Sequence, residues 1–387
     1  MRVARAAATA PIDVPANMTA PVAVDPCAAP TPPTAAVRPK GAEQRDPRSK
    51  SRHLDVCLNE SVDYAKSAGF DAWDFVNDAM SEVSLEHVDL STTLAGRTMR
   101  APLMIAPMTG GTPEGLAFNR RLAAAAQHFG LAMGVGSQRV ALERPELANH
   151  FRVRDLAPDI PLFANFGAGQ LARGWGADEA RRAVAMIGAD AIYIHFNAVQ
   201  EAIQGGDRDF RDIATRLTAL CRALDGDGIP VFAREVGFGM SGDAARRLHA
   251  CGVAGVDCAG AGGTSWAKVE AFCAVTPQRR ALGLTFGEWG TPTARCIVDI
   301  RRTLPEVTLV ATGGLRSGVD LAKAIALGAD VGAMARPMLQ RAHEGEAALH
   351  AFIESVLAEL RVCLFGAGAA NLAGLRGRLM PVGSVSV

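Results

Sequence analysis

From residue 100 onward the chain repeats one syntax: a short apolar run, a turn containing Gly or Asn, then an amphipathic helix. Parallel strands require such alternation, because each strand must return over a crossover helix before it can lie beside the next. The apolar runs fall at residues 102–106, 131–135, 161–164, 191–195, 230–233, 255–258, 308–311 and 331–334. Eight units predict a closed (β/α)₈ TIM barrel. A doubly wound open sheet would need a topological switch that eight evenly spaced units do not demand. The helix after the seventh run carries its own punctuation, with Ser317 as cap, helix formers through Leu327 and Gly328 as terminator.

Residues 1–45 are Ala, Pro, Thr and Val with few large apolar side chains, so they cannot bury enough surface to offset their ordering entropy and are expected to be disordered. Arg2 and Arg5 would suit a targeting sequence, but no continuous hydrophobic region follows them. Residues 46–99 are expected to cover the active site, 100–365 to form the barrel and 366–387 to form a tail. An apolar share of 49% supplies a large core, and a formal net charge of +0 offers no electrostatic footprint for nucleic acid. Apolar stretches are broken every few residues by Gly, Asp or Arg, too soon to span a bilayer. The 8 cysteines include no Cys-x-x-Cys pair and read as buried or incidental thiols of a reducing compartment, so a soluble, cytoplasmic protein is expected.

In such a barrel the reactive groups sit at the carboxyl ends of the strands, and phosphate commonly binds after strands seven and eight. After strand seven comes Thr312-Gly313-Gly314-Leu315-Arg316-Ser317, and after strand eight Ala335-Arg336-Pro337; together they read as a cradle for one phosphate. Glycines also cluster at Gly110-Gly111 and Gly260-Ala261-Gly262-Gly263, where backbone is expected to approach a ligand closely. FMN is the usual monophosphate when other strand ends carry ring-binding groups. Those groups are Ala106, Pro107, Met108, Thr109, Ser137 and Asn165, with Arg234 placed to stabilise negative charge on a reduced ring. The end of strand four is the most crowded, offering His195, Asn197, Gln200 and Glu201 within seven residues.

Taken together, Met108-Thr109-Gly110-Gly111, Gly136-Ser137-Gln138-Arg139, His195-x-Asn197-x-x-Gln200-Glu201, Glu235-Val236-Gly237-Phe238-Gly239-Met240-Ser241, Gly260-Ala261-Gly262-Gly263-Thr264-Ser265-Trp266, Trp289-Gly290-Thr291-Pro292-Thr293 and Gly313-Gly314-Leu315-Arg316-Ser317-Gly318 resemble type 2 isopentenyl-diphosphate isomerase. The resemblance runs from about residue 50 to residue 340. It implies an FMN-dependent barrel that interconverts isopentenyl and dimethylallyl diphosphate using reduced flavin, NADPH as reductant and Mg²⁺, in tetramers or octamers. On that pattern Gln200 lies close to the reacting alkene, Glu201 holds the metal, and His195 and Asn197 orient substrate and flavin. Thr264 joins the cofactor contacts, Lys50, His53 and Arg139 meet the diphosphate, and Trp266 and Trp289 wall the apolar tail.

Two positions depart from the pattern: Ser49 stands where the family has arginine, and Arg234 where it usually has lysine. They leave open a modified or longer prenyl diphosphate as substrate of an isomerase or cyclase. A 2-hydroxy-acid oxidase would share barrel and flavin but needs a histidine after strand six, which residues 259–266 lack. A non-catalytic flavin or prenyl-phosphate binding protein is the third reading, against which Gln200 and Glu201 argue.

Overall fold

The structure, a computed structural model, describes residues 48–383. Its centre is a closed barrel of eight parallel strands, Leu103–Ile105, Ala132–Gly134, Leu162–Gly167, Ala191–Phe196, Val231–Glu235, Gly255–Asp257, Thr308–Thr312 and Val331–Met334, each paired with its neighbours in chain order and the eighth with the first. We call them strands one to eight. The closed circuit excludes the open doubly wound sheet. Strands three, four and five run one to three residues past the apolar runs, since Gly167 pairs with His195, His195 with Arg234 and Phe196 with Glu235. The ladder continues there because backbone pairing does not require an apolar side chain.

Two side-chain layers follow from the alternation along each strand. Inward, Met104, Phe163, Tyr193, Phe232 and Val310 fill the barrel, with the Phe163 and Tyr193 rings stacked at 4.7 Å. Outward, the strands pack on helices such as Pro113–Phe129 and Gly318–Ala326. Ser317 caps the latter by accepting from the Asp320 amide, as its sequence predicts. The amino end of the barrel is plugged by a hairpin, Thr92–Leu94 with Arg97–Met99, whose Leu94 and Met99 enter the inner layer. The opposite end is left for function.

The segment before the barrel wraps it. Helix Arg48–Asn59 packs on helix Trp266–Cys273, Asp63 forms a bridge with Thr264, and Trp73–Phe75 pairs antiparallel with Leu379–Pro381 near the carboxyl end. The Ala/Pro-rich stretch of residues 1–45 lies outside the described residues. Among the described residues no helix is long and apolar enough to cross a membrane.

Candidate active site

A cavity of about 280 Å³ opens at the carboxyl ends of the strands. Strand four supplies its most elaborate wall. Asn197 is the N-cap of helix Ala198–Gln204, yet its side chain does not cap; it donates to Gln200 Oε1 at 3.0 Å and to Glu201 Oε1 at 3.1 Å. Glu201 Oε2 accepts from the Asp207 amide at 2.8 Å. Gln200 Nε2 donates to Glu270 Oε1 at 2.7 Å, so both ends of the amide are assigned by partners. Asn165 donates from Nδ2 to the Val135 carbonyl, which turns its Oδ1 toward His195 Nδ1 at 2.8 Å. That partner makes Nδ1 a proton-bearing nitrogen of the ring.

Glu270 extends the network to the covering helix. Its carboxylate lies 3.3 Å from His53 Nε2. Burial pulls the His53 imidazole down, but the Glu270 charge and a hydrogen bond with the Cys273 thiol outweigh it and hold the group at about 10. The His53 ring also meets Trp266 edge-on at 5.7 Å. A continuous polar chain therefore links His53, Glu270, Gln200, Asn197 and Glu201 along one wall. Sequence reading missed Glu270, which sits in an ordinary helical stretch with nothing local to mark it. Asp207 and Gln170, joined at 3.3 Å behind Glu201, were missed for the same reason.

The corner after strands seven and eight is built from backbone. Gly313 and Gly314 have φ of +105° and +77°, and a Cβ on Gly313 would overlap the Gly260 carbonyl oxygen. These glycines thus first allow two loops to touch. Arg316 and Arg336 both line the cavity and share Asp63, at 3.0 and 2.9 Å. Arg336 also donates to the carbonyls of Cys57 and Glu60, at 2.6 and 2.9 Å. Its fork is engaged in holding the covering segment.

Pro107, Met108, Thr109, Ser137, Asn165, Arg234, Thr264 and Ala335 form the remaining wall. Arg234 donates to Asp257 Oδ2 at 2.9 Å and lies 5.7 Å from the Tyr193 ring centre, while Thr312 donates to the same carboxylate at 3.0 Å. Burial raises the Asp257 carboxyl, and Arg234 opposes it. The next residue, Glu235, accepts the four amides of residues 236–239 on one oxygen, which pins the following loop; burial lifts its carboxyl to about 7 against their pull.

Two expected contacts fall elsewhere, and a third lies outside the described side chains. Ala106 is fully buried in the barrel interior, because its Cβ follows the inward alternation of strand one. Trp289 is 58% exposed, packs on Phe286 and does not line the cavity; only its carbonyl takes part, accepting from Tyr64 Oη at 2.8 Å. Lys50 lies in helix Arg48–Asn59, with its side chain outside the described set. Arg139 does line the cavity and pairs with Glu143 at 3.0 Å.

The chain matches the FMN-dependent dehydrogenase family over residues 42–146 and 228–380. Among solved structures it is similar to mandelate oxidase with benzoyl-formic acid, at a TM-score of 0.57 and 18% identity over 86% of this chain and 96% of that one. At that identity the likeness shows the fold alone, a (β/α)₈ barrel, and the family model sets the class as an FMN-dependent one. Sequence relatives narrow the class. The chain is 48% identical over 329 residues to an isopentenyl-diphosphate delta-isomerase of Nostoc sp., covering 84% of this chain and 93% of that protein. It is also 48% identical over 330 residues to that of Stutzerimonas stutzeri, covering 84% and 94%. The chain belongs to the FMN-dependent isopentenyl-diphosphate delta-isomerase family, and it is an enzyme.

Proposed function

We propose that the enzyme interconverts isopentenyl and dimethylallyl diphosphate, with FMN kept reduced by NADPH and Mg²⁺ carried on the diphosphate. The observation that supports this most is the polar wall running from His53 through Glu270 to Gln200, facing a phosphate-type corner across one cavity. Reduced FMN, when bound, supplies a ring edge that can exchange protons with the alkene. The residues fit the cofactor: amides at Gly313, Gly314 and Ala335 for phosphate, residues 107–109, Ser137, Asn165 and Thr264 for the ring, and the buried Arg234 as a fixed positive charge beside it.

Gln200, held at both ends, orients at the alkene, and a rigid amide loses no rotamer freedom on the way to the transition state. His195 and Asn197 position substrate beside it. Lys50, His53 and Arg139 supply cations to the diphosphate, and Trp266, Leu54 and Val236 wall the short apolar tail. Glu201 is a hard oxygen donor suited to Mg²⁺. Among the described residues no three ligands converge into a metal cage. A single carboxylate suffices for an ion that keeps several waters and takes the rest of its shell from phosphate.

The deciding assay is anaerobic: enzyme reduced with NADPH, Mg²⁺ and isopentenyl diphosphate in heavy water. Deuterated dimethylallyl diphosphate is expected, and its loss on chelation. Absence of deuterium from both isomers, with flavin bound, would overturn the reading. We place the enzyme in the cytoplasm as an assembly of four or eight copies; the exposed Val275, Leu282, Leu284 and Trp289, all within residues 275–289, support assembly. A monomer mass by light scattering would refute it.

A further inference from the structure

The end of strand six holds a carboxylate that no ligand in the cavity can touch. Asp257 is fully buried and does not line the cavity, yet it stands directly opposite Arg234 in the pairing of strands five and six. Its Oδ2 accepts from Arg234 Nη1 at 2.9 Å and from Thr312 Oγ1 at 3.0 Å, and its Oδ1 accepts from the Ala259 amide at 3.2 Å. Arg234, Thr312 and Ala259 all line the cavity, so Asp257 grips three of its wall residues from behind. The side chains of the ion pair are 7% and 0% exposed. Stability does not explain a pair buried so deeply, because apolar residues packed at both positions would stabilise a barrel as well or better. Among the described residues Asp257 is the acidic side chain within ion-pair reach of Arg234, whose other support is the face of the Tyr193 ring.

We propose that Asp257 is a positioning residue of the flavin site: it holds the Arg234 guanidinium at the cavity wall and offsets part of its charge, so that the site favours a reduced ring less than a lone guanidinium would. The inference rests on the flavin reading above, in which Arg234 lies beside the ring. A guanidinium keeps its proton, so its attraction for an anionic ring is tempered only by its neighbours. A carboxylate one hydrogen bond away tempers it strongly, since little water is present to screen the two charges. Burial raises the Asp257 carboxyl, but Arg234 and the donors from Thr312 and Ala259 oppose the rise and favour the ionised form. The balance matters for a ring that both takes and gives a proton, because such a group works best when neither protonation state is strongly favoured.

The test compares holoenzymes by the midpoint potential of bound FMN, read against a reference dye, with flavin content measured separately. Asp257→Asn keeps an oxygen for Arg234 and removes the charge. Reduced flavin should then bind on the order of ten times more tightly relative to oxidised flavin, a rise of about 30 mV for a two-electron couple. Should that variant not fold, Thr312→Val asks the same question with both charges in place: a carboxylate that loses one donor opposes Arg234 more strongly, and the potential should fall. An Asp257 that served folding alone would change the unfolding free energy and leave the potential where it was. An unchanged or lowered potential in Asp257→Asn, or an unchanged or raised one in Thr312→Val, overturns the proposal. A native enzyme that binds no FMN would defeat the flavin reading and this proposal with it, an outcome the flavin content tells apart from the others.

Discussion

The end of strand four and the corner after strands seven and eight face one cavity, yet they are made of different material. The first is a chain of side-chain hydrogen bonds, Asn197 to Gln200 and Glu201, and Gln200 to Glu270, set on an ordinary helix start. The second is backbone conformation, with Gly313 and Gly314 at positive φ packed into the Gly260–Gly263 loop. The contrast teaches where each can be damaged. A side-chain wall can lose function and keep its shape, whereas a backbone corner loses its shape first.

Gly313→Ala attacks the corner and should have the largest effect. Its Cβ meets the Gly260 carbonyl and its φ disfavours any side chain, so a loss of about 2–5 kcal/mol is expected from overpacking and strain together. Denaturant titration with flavin content reads it; unchanged stability would mean that the corner yields. Gln200→Ala attacks the wall. Turnover should fall on the order of 10²–10³-fold with flavin retained, since an oriented amide acts in the transition state and not in cofactor binding. Loss of flavin would erase the contrast.

Glu270→Gln sharpens it further. Without the carboxylate, His53 loses its largest upward influence while burial still pulls it down, and its imidazole should titrate well below 10. In the native enzyme the raised pKa contributes stability that is fully present below pH 6.5 and fades as pH rises through 10. The unfolding free energy of the variant should lack that decline, and histidine NMR titration would confirm the group responsible. Trp289→Ala should do least: the ring lies outside the cavity, so KM and kcat are expected within twofold of native, roughly the scatter of surface substitutions. A raised KM would return Trp289 to the substrate wall.

Much of the barrel was legible because eight apolar runs with turn and helix signals leave one economical closure. The cavity wall at His195, Asn197, Gln200 and Glu201 was legible too, since polar residues end an apolar strand there. Glu270 and Asp63 were not. Each acts through a partner distant in sequence, Gln200 and the two arginines, and only the folded chain brings those pairs together. Trp289 was misplaced because an indole beside a Gly-Thr-Pro turn carries no sign of which side of its loop it faces. Gly313 and Gly314 were recognised as necessary for a close approach, but periodicity cannot say whether the approaching group is a ligand or another loop.

The antiparallel contact of Trp73–Phe75 with Leu379–Pro381 sets a condition on biosynthesis. Its two strands lie near opposite ends of the described chain, so loop closure between them comes after the βα units have condensed. On a ribosome adding about 5–20 residues per second, the Trp73–Phe75 edge lacks its pairing partner until residues 379–381 have emerged. That edge is therefore open to chaperones, and to misassociation with a neighbouring copy, after the eighth barrel strand has already been made.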